Sequence, residues 1–410
     1  MAYQRPSRPQ ANLVPPPRIA LLCAGLGHIR RGHEVFARDL FDLLKHDLDI
    51  TLFKGGGEPA ERELVVPNIP LNSPALTGVH ALASPKWMAA AREQERLRAE
   101  GESFAWGAMP ALLAGGYDIV HTLEREVCST LWANRHLFER TPRILWSNGG
   151  AIPARLQPPC DFVQEHTAAN LAQSQRGKAF MIPHGVNTAR FHPGVASDYR
   201  QRHGIPADAF VVITVGSICY WHKRTDHVIR EVAAVPGAWL LVVGQETADS
   251  PAIRELGHQL MPGRIVFDSL PHHELPQAYA AADVFTLGSL HETFGIVYIE
   301  AMAMGLPVVC TQHPNQRQIV QRGVFLDMQA PGALAAALRS RSREQWRALG
   351  AEGLEVVRRD YDLRVLAARY HEAYGRIAAS APSPLPQWTP ARAWQARSAK
   401  LWIHLRSLRR

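Results

Sequence analysis

Short apolar segments typical of buried β-strands recur along most of the chain, and many are followed by a segment with helical periodicity. The first half contains RIALLCAG, DITLFKGG, YDIVHT and RILWSNGG, and the second half contains FVVITVGS, WLLVVGQE, RIVFDSL, ADVFTLGS and LPVVCT. Strands that are apolar throughout indicate parallel sheets covered by helices on both faces. A stretch bearing proline and glycine, at 182–194, separates the two series. The pattern predicts an α/β protein with two doubly wound, Rossmann-like sheets that face each other across a cleft.

Changes in composition divide the chain further. Residues 1–17 are polar and proline-rich, lack the apolar core of a secretion signal, and are predicted to be a disordered lead. We predict the first Rossmann-like domain at 18–185, the second at 186–360, a further helix at 361–379, and a proline-rich linker with a basic tail at 380–410. Because no apolar run approaches the roughly 18 residues that span a bilayer, we expect a cytoplasmic protein.

The positive charge of the chain is concentrated at its C-terminal end. The formal net charge is +8, and it falls to +2 without the six basic residues of 385–410, a segment that has no acidic residue. We therefore expect no nucleic-acid partner. Residues 391–410 place Trp394, Leu401 and Leu405 near one face of a basic amphipathic helix, which fits an anionic membrane surface. Packing against the first domain and disorder remain alternatives.

Cysteine usage and acidic spacing give no sign of a disulfide framework or a metal centre. The chain has five cysteines, an odd number with no C-x-x-C pair, which predicts reduced and mostly buried thiols. They are Cys23, Cys128, Cys160, Cys219 and Cys310. Asp47 and Asp49 form a D-x-D between a predicted helix and a strand, where a turn is the simpler interpretation. Since no other cluster has metal-ligand spacing, we predict metal-independent chemistry.

The sharpest candidate for a functional site is SLHETFGIVYIEAMAMGLPVV at 289–309. Glu292 lies in a loop after a predicted strand, Gly295 opens a helix that contains Glu300, and Gly305 ends that helix. The start of a helix offers free N–H groups and the positive end of a dipole, which suit a diphosphate. The two carboxylates can therefore address different parts of one ligand, namely a sugar at the loop and a ribose hydroxyl pair.

The same segment resembles the E-x7-E motif of the retaining glycosyltransferases of GT-B architecture, family 4. Glu292 and Glu300 match the two glutamates of the motif. The flanking residues Ser289, Phe294 and GLPV at 305–308 match its usual surroundings. The resemblance implies a GT-B fold with an acceptor domain at 18–185, a nucleotide-sugar domain at 186–360, and a helix at 361–379 that returns to the first domain.

The resemblance also implies the chemistry. The substrates would be a nucleoside diphosphate sugar and an unidentified acceptor, and the sugar would be transferred with its anomeric configuration retained and with no cofactor. Lys223, which follows the strand VITVGS, would meet the pyrophosphate and offset charge on the departing nucleotide. The donor-binding set implied in this way is Gly216, Lys223, Arg224, Glu292, Thr293, Phe294, Gly295, Ile296 and Glu300.

One position of the second domain departs from the family pattern. The family usually has an arginine shortly after the glycine that ends the strand, whereas this chain has Ser217. Arg224, the neighbour of Lys223, either takes the role of that arginine or points to solvent. Lys223, Glu292 and His121 are the predicted catalytic residues.

The first domain has a glycine-rich loop, GLGHIRRGHE at 25–34, that resembles the loop shaping the acceptor side in this family. Gly25, Gly27 and His28 are its candidate residues, with His28 either on the sugar or phosphate or exposed to solvent. Arg30 replaces the third glycine of a dinucleotide motif, so a nicotinamide site is not expected. By the same resemblance, His121 at the end of YDIVH meets the transferred sugar, and it faces the cleft if the strand ends form the site; a structural role is the alternative.

Two other functions remain open from the sequence. One is a nucleotide-sugar epimerase or phosphorylase with the same architecture, and the other is a non-catalytic, membrane-associated protein that binds nucleotide sugars. Incubation with the donor alone separates the epimerase, because it converts the sugar without an acceptor. Lys223, Glu292 and Glu300 together argue against the non-catalytic protein.

Overall fold

The computed structural model describes residues 16–29, 32–79 and 89–385. Nearly all of the predicted lead and the whole basic tail at 391–410 lie outside these residues. Across the described ranges, no helix combines the length and apolar character needed to cross a membrane.

The first domain is built on a seven-stranded parallel sheet with the order β3-β2-β1-β4-β5-β6-β7. Its strands are β1 (Arg18–Cys23), β2 (Asp49–Lys54), β3 (Glu63–Val65), β4 (Ile119–Thr122), β5 (Arg143–Ser147), β6 (Phe162–Glu165) and β7 (Ala179–Met181). Its helices are α1 (Gly32–Leu44), α2 (Ala89–Gly115), α3 (Arg125–Asn134) and α4 (Ala168–Gln173). Separate apolar clusters fill the two faces of the sheet, as expected of a sheet buried on both sides.

The second domain is built on a six-stranded parallel sheet with the order β10-β9-β8-β11-β12-β13. Its strands are β8 (Val211–Val215), β9 (Trp239–Val243), β10 (Ile265–Asp268), β11 (Val284–Thr286), β12 (Val308–Thr311) and β13 (Val324–Leu326). Its helices are α5 (Tyr199–Arg202), α6 (Thr225–Ala233), α7 (Ser250–Leu260), α8 (Leu275–Ala280), α9 (Ile296–Ala303), α10 (Pro314–Val320), α11 (Ala333–Arg339) and α12 (Arg343–Asp360). The predicted fold of two doubly wound parallel sheets is confirmed.

The strand orders locate where ligands are expected to bind. In each sheet the order reverses between the first strand along the chain and a later neighbour, at β1 and β4 in one sheet and at β8 and β11 in the other. Doubly wound sheets bind ligands at the carboxyl ends of the strands beside such a switch point. The loops that follow these four strands are therefore the first places to look for a site.

A final helix, α13 (Leu363–Ala379), packs against the first domain. Its Leu366, Tyr370 and Tyr374 side chains are buried in the same cluster as residues of β1 and α1. The two chain crossings between the domains run side by side, because the N–H of Val186 donates to Tyr361 O at 2.8 Å and the N–H of Leu363 donates to Val186 O at 3.2 Å. This paired crossing is where the two domains are joined.

Candidate functional site

Gly216 lies at the end of β8, and the absence of a side chain there lets the Lys223 side chain pack against the main chain. It has a φ of +149°, and a Cβ there would lie 2.9 Å from Lys223 Cε. A Cβ on Gly244, at the end of β9, would come within 1.8 Å of Gly216 O. Glycine is therefore required at both positions, and the aliphatic part of Lys223 packs directly over the strand end.

Lys223 and Glu292 form an ion pair at this strand end. Lys223 Nζ lies 2.6 Å from Glu292 Oε1, and the Ser289 hydroxyl donates to the same oxygen at 2.6 Å. His222 Nε2 is 3.4 Å from that oxygen. The side chains of Lys223 and Glu292 are only 15% and 6% exposed. The fold thus brings together two of the three predicted catalytic residues.

The ionisation of Glu292 follows from these partners. Burial acts to raise its pKa, but the hydrogen bond from His222 and the positive charge of Lys223 outweigh burial and lower the pKa to about 2. Glu292 is therefore a carboxylate at neutral pH. Its Oε1 is already shared by several donors, so a more highly charged anion that enters the site would compete with it for Lys223.

The backbone around Glu292 is held by two amides of α10. Gln316 Nε2 donates to Glu292 O at 2.8 Å, and Asn315 Nδ2 donates to Glu292 O and to Thr293 O, both at 2.9 Å. Both amide side chains are buried. Sequence reasoning missed Asn315 and Gln316, although they follow β12, whose carboxyl end lies at the same sheet edge as that of β11.

The helix that was predicted to open at Gly295 begins at Ile296. Gly295 is its N-cap with a φ of +82°, and it provides no side-chain cap for the first N–H groups of α9. Phe294 is buried and packs edge-on against His184 and Tyr361, with ring centroids 5.0 and 5.9 Å away. The α9 N-terminus beside Lys223 therefore combines uncapped N–H groups, a positive dipole end and a cation, which suits a phosphate ligand.

Glu300 lies deeper, one turn into α9. It is 3% exposed. Its Oε1 is 2.7 Å from His272 Nε2, and its Oε2 accepts from the Tyr279 hydroxyl at 3.0 Å. Burial acts to lower the pKa of His272, but the neighbouring Glu300 carboxylate outweighs burial and raises it. Sequence reasoning did not single out His272 or Tyr279, and the predicted contact of Glu300 with a ribose stays a prediction.

Arg224 is held by main-chain carbonyls and does not extend freely into solvent. It adopts a left-handed backbone conformation with a φ of +48°. Its guanidinium donates to Met328 O at 2.6 Å and to Gly288 O at 3.2 Å. The side chain therefore satisfies main-chain carbonyls of two neighbouring loops rather than pointing to solvent, and its predicted contact with the donor stays a prediction.

The described residues 25–29 of the glycine-rich loop form a tight turn. Gly25 O accepts the N–H groups of His28 at 3.0 Å and Ile29 at 2.9 Å. Gly27 has a φ of +96°, and a Cβ there would lie 2.3 Å from the Gly56 carbonyl carbon. His28 Nε2 donates to Gly55 O at 2.5 Å, so the ring pins this loop to the one that follows β2. A ligand contact for Gly25, Gly27 or His28 remains a prediction.

His121 does not face the cleft, which corrects the expectation. It is fully buried, with Nε2 2.7 Å from Ser147 Oγ and Nδ1 2.8 Å from the Tyr374 hydroxyl. Ser147 donates its own proton to Gln164, so the Nε2–H of His121 donates to Ser147 and Nδ1 accepts from Tyr374. Burial lowers the pKa of His121 to about 3. The side chain is a neutral hydrogen-bonding bridge under α13.

The cysteines and the D-x-D aspartates lie outside the Lys223–Glu292 site, and one cysteine, Cys23, has neighbours that could share a metal ion with it. The five cysteines are buried and free, as predicted. Asp49 of the D-x-D pairs with Arg18 at 3.1 Å on the surface. Within the described part of the chain, Cys23, His33 and Glu34 have ligand atoms within 4.8 Å of one another, close enough to hold a metal ion. Sequence spacing did not reveal this group, because the fold brings Cys23 to the start of α1.

Comparison with known families identifies the second domain. Residues 209–342 match the family model described as "Glycosyl transferases group 1". This part of the chain is a glycosyl transferases group 1 domain. The match contains Gly216, Lys223, Glu292 and Glu300, and it confirms the resemblance at that level.

Curated relatives extend the similarity beyond this domain. The D-inositol 3-phosphate glycosyltransferase of Geodermatophilus obscurus is 29% identical over 249 residues, covering 53% of this chain and 52% of that protein. The protein of the same name from Mycobacteroides abscessus is 38% identical over 133 residues, covering 30% of this chain and 29% of that protein. The chain thus spans about half the length, or less, of these relatives.

Solved structures match the group 1 domain together with the first domain. Sucrose-phosphate synthase from Thermosynechococcus elongatus superposes with a TM-score of 0.72 at 22% identity, covering 89% of this chain and 100% of that one. HepE from Anabaena, in complex with UDP and glucose, superposes with a TM-score of 0.66 at 15% identity, covering 88% of this chain and 100% of that one. These matches show that the fold is GT-B.

Proposed function

We propose that the chain is a GT-B glycosyltransferase that moves a sugar from a nucleoside diphosphate sugar to an acceptor. The observation that carries the proposal is the Lys223–Glu292 pair beside the uncapped N-terminus of α9, within the group 1 domain. The names of the relatives, D-inositol 3-phosphate glycosyltransferases, and the UDP and glucose bound to HepE support the same donor class.

In the proposed reaction, Lys223 and the first N–H groups of α9 stabilise the leaving diphosphate. Charge builds on the phosphate as the bond to the sugar breaks, and a buried cation with a helix N-terminus offsets that charge where water is excluded. Because Glu292 is ionised and fixed by Ser289, it holds sugar hydroxyls in one orientation while Lys223 turns toward the phosphate. Glu300 accepts from the ribose hydroxyls.

The finer features of the proposal follow the resemblance to family 4. The sugar is transferred with retention of its anomeric configuration, because the leaving phosphate accepts the acceptor proton on the face where the new bond forms. Lys223 and the α9 N-terminus neutralise the diphosphate, so we propose that transfer needs neither a metal ion nor a cofactor. Transfer in EDTA, and an α-linked product from an α-linked donor, are the expected results; an inverted product would contradict retention.

Nucleotide release from a panel of UDP-, GDP- and ADP-sugars tests the roles of the pair. Lys223→Met and Glu292→Gln should each lower release about a hundredfold or more with the fold retained. Lys45→Met is the matched control, since Lys45 pairs with Asp42 on the surface of the first domain, and it should turn over normally. Unchanged turnover in both site variants would overturn the proposed roles, and conversion of the donor alone into a new sugar nucleotide would favour an epimerase.

We also propose that residues 391–410 attach the protein to the inner face of a membrane. The proposal rests on the basic residues and tryptophans of that sequence, because anionic lipid attracts each cation near its surface by roughly 1 kcal/mol. The full chain should sediment with vesicles containing phosphatidylserine, and a chain that ends at residue 385 should stay in the supernatant with its transfer activity intact. Equal sedimentation of both would contradict the proposal.

A further inference from the structure

A line of polar contacts joins Glu300 of the second domain to α1 of the first. Glu300 Oε1 is 2.7 Å from His272 Nε2, and His272 Nδ1 is 3.4 Å from a guanidinium nitrogen of Arg190. The same guanidinium lies 3.6 Å from Asp39 Oδ1. Arg190 belongs to the segment that links the two domains, so the line crosses the domain boundary at the paired chain crossing.

The protons of this line can be assigned from the donors available. The Nε2–H of His272 donates to Glu300 in both protonation states of the ring. The guanidinium of Arg190 only donates, so Nδ1 accepts from it when His272 is neutral. Tyr279 donates to the other oxygen of Glu300. In this arrangement each oxygen of a carboxylate that is 3% exposed has a fixed donor. The direction of the Glu300 carboxylate is thus set by His272 and Tyr279.

A second close approach between the two domains lies nearer the cleft, at the starts of α1 and α9. A Cβ on Gly32, at the start of α1, would lie 3.6 Å from Ile296 Cδ1 at the start of α9. Asp39 lies seven residues further along α1 and Glu300 four residues further along α9, which is roughly 10 and 6 Å of helix. Two helices that lie close together at their starts and are joined again further along by polar contacts have a restricted relative direction.

An aromatic contact lies between the Gly32–Ile296 approach and the polar contacts of Asp39 and Glu300, and it joins the domains by packing without a hydrogen bond. The His184 ring is 4.8 Å from Phe36 of α1 and 5.0 Å from Phe294, which precedes α9. Packing of this kind resists separation of the helices, but it has little directional preference compared with charged hydrogen bonds. The direction of α9 relative to α1 therefore depends on Arg190 and His272.

We propose that Arg190 and His272 are positioning residues, which orient Glu300 and set the opening of the cleft between α1 and α9. The proposal rests on the proposed function, because it assumes that a nucleoside diphosphate occupies this cleft. Without His272, Glu300 loses a charge-assisted hydrogen bond and can turn. Without Arg190, the buried carboxylate of Asp39 loses its cation, and α1 loses its ion pair with the segment that links the two domains.

Two measurements on the full chain test this proposal. UDP affinity is measured by calorimetry, and the distance between the domains is measured between spin labels at Glu61→Cys and Glu344→Cys, both exposed positions in a chain whose own cysteines are buried. His272→Phe and Arg190→Met should each weaken UDP binding about tenfold and broaden the distance distribution. His272→Gln keeps a donor and an acceptor, and it should restore both readouts.

The control and the contrary outcomes separate this proposal from the proposed function. His273→Phe alters a neighbouring exposed histidine and should change neither readout. Wild-type affinity and an unbroadened distance distribution in both His272→Phe and Arg190→Met would overturn the positioning role. If the wild type bound no nucleoside diphosphate, the proposed function would fail, and the distance distributions alone would decide whether Arg190 and His272 set the domain arrangement.

Discussion

The Lys223–Glu292 pair should contribute measurably to the stability of the second domain. The pKa of Glu292 falls from 4.5 to about 2, and each pKa unit corresponds to about 1.4 kcal/mol, so the ionised carboxylate stabilises the folded state by about 3 kcal/mol. Glu292→Gln removes that contribution and leaves Lys223 with no anion at 2.6 Å. Lys223→Met instead leaves the buried Glu292 carboxylate without its cation. Each single substitution is therefore expected to cost about 3 kcal/mol.

A double-mutant cycle measured by urea unfolding checks this expectation. The double variant should cost clearly less than the sum of the two single variants, because it leaves neither charge stranded. The pH dependence has a defined sign. A lowered pKa gives stability that is present above pH 4.5 and is lost as the pH falls toward 2, so the wild type should keep its advantage over Glu292→Gln from pH 8 to 5 and lose it below. Strictly additive losses, or a Glu292→Gln variant as stable as the wild type, would refute the reasoning.

Three further predictions follow from single residues. His121→Phe removes the acceptor for the buried Tyr374 hydroxyl and should lower the free energy of unfolding by about 2 kcal/mol without changing UDP affinity. A loss of UDP affinity in this variant would indicate that His121 contributes to the binding site. Gly295→Ala should weaken UDP binding, measured by calorimetry, more than Gly237→Ala does. Both glycines have positive φ, but only a Cβ at Gly295 would meet a neighbour, namely Tyr298 at 2.6 Å. Equal effects of the two substitutions on affinity would contradict this. Burial raises the pKa of Asp39 from 3.8 to about 6, so the stability contributed by its protonated form is lost as the pH rises through 6. Between pH 4 and 7 the free energy of unfolding of Asp39→Asn should therefore rise by about 3 kcal/mol relative to that of the wild type. A difference in urea stability that does not change with pH would exclude a buried charge.

The sequence was sufficient where the site depends on neighbours along the chain. Glu292, Gly295 and Glu300 lie on one strand–loop–helix unit, and the apolar strands on either side fix where that unit begins and ends. Lys223 follows its strand in the same way. Such features are encoded locally, so pattern and resemblance together locate them.

The same reasoning fails where partners come from distant parts of the chain. His121 was expected in the cleft because it stands near a strand end, but its side chain points to the face that α13 covers, and its partner Tyr374 is 253 residues away. The line from Asp39 through Arg190 and His272 to Glu300 joins four separate segments. No spacing in the sequence indicates such contacts.

Some secondary structure was also beyond the patterns used. The strands β3, β6, β7 and β13 were not predicted, and three of them, β3, β7 and β13, are three-residue strands at the edges of their sheets. Helix α2 contains Gly101, Gly107 and Pro110, residues that normally argue against a helix, yet Phe104, Ala105 and Ala108 are buried against the sheet. The packing of that face overrides the local propensity.

The account depends most on whether a sugar nucleotide binds beside Lys223 at the start of α9. Calorimetric titration of the full chain with UDP-, GDP- and ADP-sugars measures this directly, with Lys223→Met as the paired variant. We expect at least one of these ligands to bind the wild type and to bind Lys223→Met about tenfold or more weakly. No heat from any of them with the wild type, or equal affinity in the variant, would contradict the account.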